Sequence, residues 1–268
     1  VGLAVGDVCA DETGSQYFAS TIARSSLIQN ATAFIDRSQA IYSGLKDYQI
    51  TLNTEVSSMV DKINELGQKI YSLNKSISKV EAGGVERAND LRDTRDLALD
   101  ELSQYLDIDY YETTDGQIII SAENIPFVSK SEVNTMDVRQ EGQYGMIIPE
   151  WPAYEKDVFS FEKAASNANN NDKGKLKGLL VARGTIDVNY QDVPVMPDKS
   201  DYDLTTAEGM AQYNSAMDDY QKQQDYYNKY IEPSAILSAI AGFDKLVNGI
   251  VTALNDVLCP EKEVETTT

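Results

Sequence analysis

Histidine is absent from these 268 residues, tryptophan occurs once and cysteine twice. Without imidazole there is no Ser-His-Asp or Cys-His nucleophile, no His-ligated metal and no ordinary proton shuttle near neutral pH. Cys9 and Cys259 stand near opposite ends and form no Cys-x-x-Cys pair, too few ligands for a metal. Two free thiols are the default expectation, and a Cys9–Cys259 disulfide stays open only if the ends meet within about 7 Å. Basic charge is scarce: 23 Lys and Arg face 43 Asp and Glu, a formal charge of -20. That field repels nucleic acid and anionic membrane surfaces, so neither is expected as a partner, and the excess acid reads as solubility. No run approaches the roughly 20 apolar residues of a membrane span, so no membrane insertion is expected. The opening VGLAVGDVCADE lacks the basic start and apolar stretch of a signal peptide. With no initial methionine and a Glu-Thr-Thr-Thr end, the chain reads as an excised fragment.

What is present is helical rhythm. The chain is 42% apolar, enough for a buried core in one large domain or two ordinary ones. From Ile41 the apolar residues step by three and four through Leu45, Tyr48, Leu52, Val56, Met59, Ile63, Leu66, Ile70, Leu73, Ile77 and Val80. This is a heptad seam with one 4-4 interruption near Leu52. Gly44 and Gly67 lie off it, and Leu27, Ile28, Ala31, Phe34 and Ile35 extend the spacing backward. The spacing predicts a helix over about 24–82, roughly 90 Å long at ~1.5 Å per residue; two shorter helices are the alternative. Gly83-Gly84 then ends it. A second seam runs through Ile236, Ile240, Phe243, Val247, Ile250, Leu254 and Val257, with Pro233 marking the helix start.

Between the seams lie shorter elements. DIDYYETTDGQIII alternates and is β-branched, with Asp115-Gly116 placed as a hairpin turn. Further short strands are expected at Ile125–Val128, Thr135–Val138 and Gly145–Ile148. The predicted organisation is therefore mainly α: an elongated antiparallel helical bundle or coiled coil with a small β-hairpin element. Its parts are a long helical hairpin over 1–106, a small β element over 107–150, and a loop with a short helix over 151–184. An acidic, tyrosine-rich insertion covers 185–230, with nine acids, three bases and seven of the 16 tyrosines. It reads as an extended loop holding Pro194 and Pro197, then a polar helix. A returning seam helix spans 231–258 and a tail 259–268.

The densest stretch is ANDLRDTRDLALDELSQYLDI, Ala88 to Ile108. At about 100° per residue Leu91, Leu99, Leu102 and Leu106, with Ala88, Ala98 and Tyr105, gather on one side and Asp93, Asp96 and Asp100 on the other. Calcium needs 6–8 oxygens from a chain that wraps around it, and glycosidic carboxylates face each other across a cleft. Three acids on a straight helix meet neither demand, so they are read as a solvated face. No catalytic, cofactor-binding or metal residue is expected anywhere. Arg95 falls among the leucines, where an unpaired guanidinium is costly. A carboxylate on the antiparallel helix, Glu55 or Asp61, is the expected partner, with snorkelling to solvent as the alternative.

Three stretches together resemble the flagellar hook-associated protein 1 family, the junction between bacterial hook and filament. They are SSLIQNATAFIDRSQAIYSGLKDYQ, VDKINELGQKIYSLNKSI and ANDLRDTRDLALDELSQYLDIDYYE. Asn89, Asp90, Leu91, Arg95, Asp96, Leu99, Asp100, Glu101 and Leu102 match the family's motif helix, and GKLKGLLVARG its later Gly-Leu-Leu-x-x-Arg segment. The likeness covers 25–185 and 231–258, leaving the insertion unmatched. Ile63, Leu66, Ile70 and Leu73, with Ile240, Phe243, Val247 and Ile250, are the expected packing seams. The resemblance implies a structural, non-enzymatic role joining hook to filament; the alternative is another secreted coiled-coil protein, such as a different flagellar axial protein or a type III effector or translocator. It implies ring self-association, and contact with hook protein and the second junction protein. An export chaperone would act through a C-terminal segment missing here. It further implies an extracellular place on the flagellum, reached by type III export without a cleaved signal peptide.

Overall fold

The computed structural model describes residues 17–84, 87–142, 145–161 and 173–258. Cys9, Cys259 and most of the polar run before Lys173 lie outside the described residues. The chain divides into two compact units, 49–186 and 1–48 with 187–268, both drawing on helix α1 (Tyr17–Glu81). α1 is one continuous helix, so the alternative of two shorter ones does not occur, and it begins seven residues before position 24.

In the 49–186 unit, Glu81 ends α1 and α2 (Asn89–Ser103) follows. Ala98, Leu99, Leu102 and Leu106 face Val56, Val60, Ile63, Leu66 and Ile70 in one core. Of the first seam, Ile63, Leu66 and Ile70 are buried and Leu73 is half-buried, while Ile41, Tyr48 and Val80 are exposed. The seam is therefore buried where α2 and the strands pack on it. The single expected β element is two antiparallel three-stranded sheets reaching beyond 150. The first joins β1 (Ile108–Glu112), β2 (Ile118–Ala122) and β3 (Ile125–Val128), with β2 central. The second joins β4 (Asp137–Glu141), β5 (Met146–Trp151) and β6 (Lys156–Asp157), with β5 central. Alternation on β2 sends Ile118, Ile120 and Ala122 into the core. β5 ends in Trp151, fully buried, its ring 5.7 Å from that of Phe127. α3 (Lys175–Arg183) adds Leu176 and Leu180.

Two glycines are fixed by neighbours. Gly67 lies off the seam but is buried, and a Cβ there would collide with the Phe127 ring. Gly116 holds a left-handed φ of 76°, and a Cβ would sit 2.9 Å from Arg92 NH2 and 3.0 Å from Glu81 Oε2. The turn it closes bonds Gly116 N–H to the Thr113 carbonyl at 3.0 Å, a three-residue hairpin loop with glycine in its left-handed position.

In the other unit, α5 (Ala235–Leu258) lays Val247 and Val251 on Ile35 of α1, flanked by Phe34 and Phe243. Ile240 is fully buried and Ile250 half-buried. The helix starts after Ser234, whose hydroxyl accepts the Leu237 N–H at 3.2 Å, so Pro233 precedes the cap instead of opening the helix. By length and composition, Ala235–Asn255 qualifies as a candidate membrane span, contrary to the expectation that no run comes close. Its charged residues are engaged by protein: Asp244 accepts the Tyr190 N–H at 2.9 Å, and Lys245 donates to the Val193 and Pro194 carbonyls at 3.3 Å. α5 is thus held against the 187–206 segment, which contains two 3-10 turns, Tyr190–Asp192 and Lys199–Asp201. The second half of the insertion is α4 (Ala207–Tyr230), capped by Thr206 on the Gly209 N–H at 3.1 Å; Gly209 is its one buried residue.

Gly67→Ala sets helix propensity, worth about 1 kcal/mol in alanine's favour, against overpacking, which costs about 1–3 kcal/mol. Because the Phe127 ring is itself pressed on Trp151, a net loss of stability is expected in urea unfolding. A gain would show that the aromatic pair yields freely.

Candidate functional site

No side-chain cluster in the described residues has the composition of a metal site. What the residues build instead is a set of polar clamps. Three asparagines of α1 present their amides to strand or loop backbone as another strand would. Asn53 donates to the Gly145 carbonyl at 2.9 Å and accepts the Ile147 N–H at 2.7 Å. Asn64 does both with Met136, each at 2.9 Å. Asn74 does both with Ile118, at 2.7 and 3.0 Å. Intervals of 11 and 10 residues are close to three helical turns, which keeps the three amides within about 80° of one another. Each amide has one donor and one acceptor side, the pattern a backbone peptide group offers, so each is satisfied without a second helix.

Two buried arginines complete the outer clamps. Arg95, 1% exposed, donates from NH1 to the Gly116 carbonyl at 2.7 Å and to Asn74 Oδ1 at 3.3 Å. Its NH2 lies 3.8 Å from Glu112 Oε2. The expected partners Glu55 and Asp61 are both exposed; the counter-charges are Glu112 of the hairpin and Asp96 of α2, whose Oδ1 lies 3.8 Å from Nε. Burial pushes the Arg95 guanidinium down, with Glu112 and Asp96 opposing. Arg183, at the end of α3, donates from NH1 to Asn53 Oδ1 at 2.6 Å and the Ile147 carbonyl at 2.7 Å, and from Nε to the Gly184 carbonyl at 3.1 Å. Gln49 Nε2 binds the carbonyl of Arg183 at 3.0 Å. Burial lowers Arg183 to about 10, still ionised at neutral pH.

Arg92, which the motif reading passed over, ties three elements together. Nε and NH2 bind Glu81 at 2.8 and 2.7 Å, and NH1 binds Glu112 at 2.6 Å. Glu81 also accepts the Ala88 N–H at 3.0 Å, closing the turn from α1 to α2. The hydrogen bond from Arg92, followed by that from Ala88, holds the Glu81 carboxyl down at about 2. Of the expected motif residues, Arg95, Leu99 and Leu102 are buried together and Leu91 is half-buried. Asn89, Asp90, Asp96 and Asp100 face solvent, and Glu101 reaches Lys62 at 3.3 Å.

The model of the flagellar hook-associated protein FlgK helical domain matches residues 12–207. The chain belongs to this family. The match runs through the motif helix, both sheets and α3, and includes the first part of the insertion expected to be unmatched; it ends where α4 begins. The flagellar hook-associated protein 1 of Bacillus subtilis (strain 168) is 27% identical over 210 residues, 72% of this chain and 40% of that protein. The chain thus spans about two fifths of the length of this curated relative. The flagellar hook junction protein FlgK from Burkholderia pseudomallei, a solved structure, is 18% identical with a TM-score of 0.47. That likeness covers 57% of this chain and 27% of that one.

Asn74→Ala leaves the Ile118 N–H and carbonyl unpaired in a dry site, and about 1–3 kcal/mol of stability is expected to go. Arg95→Met in the same background should lose less than it does in the wild type, because the two side chains act on one another. Acid titration tests Glu81. Its folded pKa lies below the unfolded value, so its stabilisation is complete above about 4.5 and is lost as pH falls toward about 2. Glu81→Gln should flatten that part of the stability–pH curve, measured by denaturant unfolding.

Proposed function

We propose that this chain is the helical body of a hook–filament junction subunit, a structural part of the bacterial flagellum with no catalytic step. The observation that carries the reading is the family match over 12–207, which takes in every clamp described above. The polar clamps support it: buried amide and guanidinium bonds have steep directional requirements, so they hold elements in register under shear better than apolar contact alone. A part that transmits force between two filaments needs such fixed register.

In the same reading, the subunit associates with copies of itself in a ring and meets hook protein on one side and the second junction protein on the other. It acts outside the cell, reached by type III export without a cleaved signal peptide. An export chaperone binds the longer protein at its C-terminal segment.

In-frame removal of this region from its source bacterium tests the role. Hooks without filaments and filament subunits shed into the medium are expected, with motility restored by the intact gene. Normal filaments on the deletion strain would overturn it.

A further inference from the structure

β1 is an outer strand of its sheet, and its free edge borders an open groove of about 510 Å³ against α2. The hairpin register fixes which backbone groups face that edge. Thr113 N–H bonds the Gln117 carbonyl and Glu123 N–H the Asp107 carbonyl, both directly opposed pairs. In an antiparallel ladder such pairs alternate, so residues 109 and 111 also bond inward while Ile108, Tyr110 and Glu112 turn their N–H and C=O outward. Those outward groups have no hydrogen-bond partner among the described residues.

The opposite wall of the groove is acidic. Asp93, Asp96 and Asp100 line it from α2, and all three are exposed. Of the three arginines in the lining, Arg92 is paired with Glu81 and Glu112, and Arg95 lies 3.8 Å from both Asp96 and Glu112, which leaves Arg87 against Asp93 and Asp100. Tyr110, 58% exposed, offers a ring beside these acids. At the floor, Arg95 is 1% exposed and its Nε has no hydrogen-bond partner.

We propose that this groove takes an extended, basic peptide segment of another protein, which adds to the first sheet as a strand along β1. Main-chain bonds to residues 108, 110 and 112 supply affinity, and Lys or Arg side chains on one face of the added strand reach the aspartates and the Tyr110 ring. The chemistry selects against a second copy of this chain, whose net charge of -20 opposes approach to an acidic wall. This inference stands apart from the flagellar reading, since it rests on the edge and its charge alone.

The test uses the whole chain and a fluorescent heptapeptide of alternating Lys and Val, with a Glu-Val heptapeptide as its opposite. Fluorescence anisotropy should show saturable binding of the first and none of the second. Asp93→Asn with Asp100→Asn should weaken binding at least tenfold. Tyr110→Pro should do the same: its N–H lies outside the β1–β2 ladder, so the ring blocks the edge without removing an internal bond. Should that variant fail to fold, hydrogen exchange at the Tyr110 amide of the wild-type chain gives the answer, slowing at least tenfold on saturation with peptide. Undiminished binding by both variants, an unprotected Tyr110 amide, or no binding of the Lys-Val peptide overturns the proposal. So does sedimentation showing self-association that Tyr110→Pro abolishes, because the occupant is then a second copy.

Discussion

Three primary amides on α1 govern the larger unit. A helix and a sheet ordinarily meet through side chains alone, because the helix has used up its backbone donors and acceptors. Asn53, Asn64 and Asn74 evade that limit by carrying a copy of the peptide group on a short stem. Each supplies the backbone bonds that a neighbouring strand would, so sheet segments end against α1 without orphaned polar groups. The arginines depend on the same amides: Arg95 and Arg183 each spend one donor on an asparagine oxygen that is already bound to backbone. Such shared acceptors polarise one another, and the assembly is fixed as a unit.

The apolar half of this organisation was legible and the polar half was not. Period-3.5 spacing located α1, period-2 spacing and Asp115-Gly116 located the hairpin, and Gly174 and Gly184 bounded α3. Leu99 and Leu102 of α2 fell on the buried side, and Leu97, off that face, is exposed, because hydrophobic burial is non-directional and needs only a face. Arg95 announced itself by sitting on that face, yet its partner could not be read from a helical wheel. Glu112 lies 17 residues on, across a turn, and only the hairpin's position brings it near. Arg183 entered the sequence reading only as the arginine of the Gly-Leu-Leu-x-x-Arg segment, because its partners Asn53 and Ile147 are distant in the chain.

A weak signal for the clamps did exist. Asparagine is a mediocre helix residue, since its side chain competes for backbone bonds. Three of them within 22 positions of an otherwise well-formed helix require a reason. Spacing near three turns was that reason in outline, but the seam analysis counted only apolar residues. The same bias passed over Gly67, which lies off the apolar seam yet admits the Phe127 ring. The insertion was misjudged for a different cause: composition marked 185–230 as foreign, whereas the family match takes in its first part and stops where α4 begins.

The amide spacing makes α1 a ruler as well as a support. Removing one residue between Asn53 and Asn74 would swing everything beyond it by about 100° and shorten the helix by ~1.5 Å. A seven-residue change would restore the face but displace the next amide by roughly 10 Å, about two strand spacings. Over this stretch the length of α1 is therefore quantised at a single value. That geometry tolerates amino-acid replacements that spare the three asparagines, whereas an insertion or deletion between them breaks it.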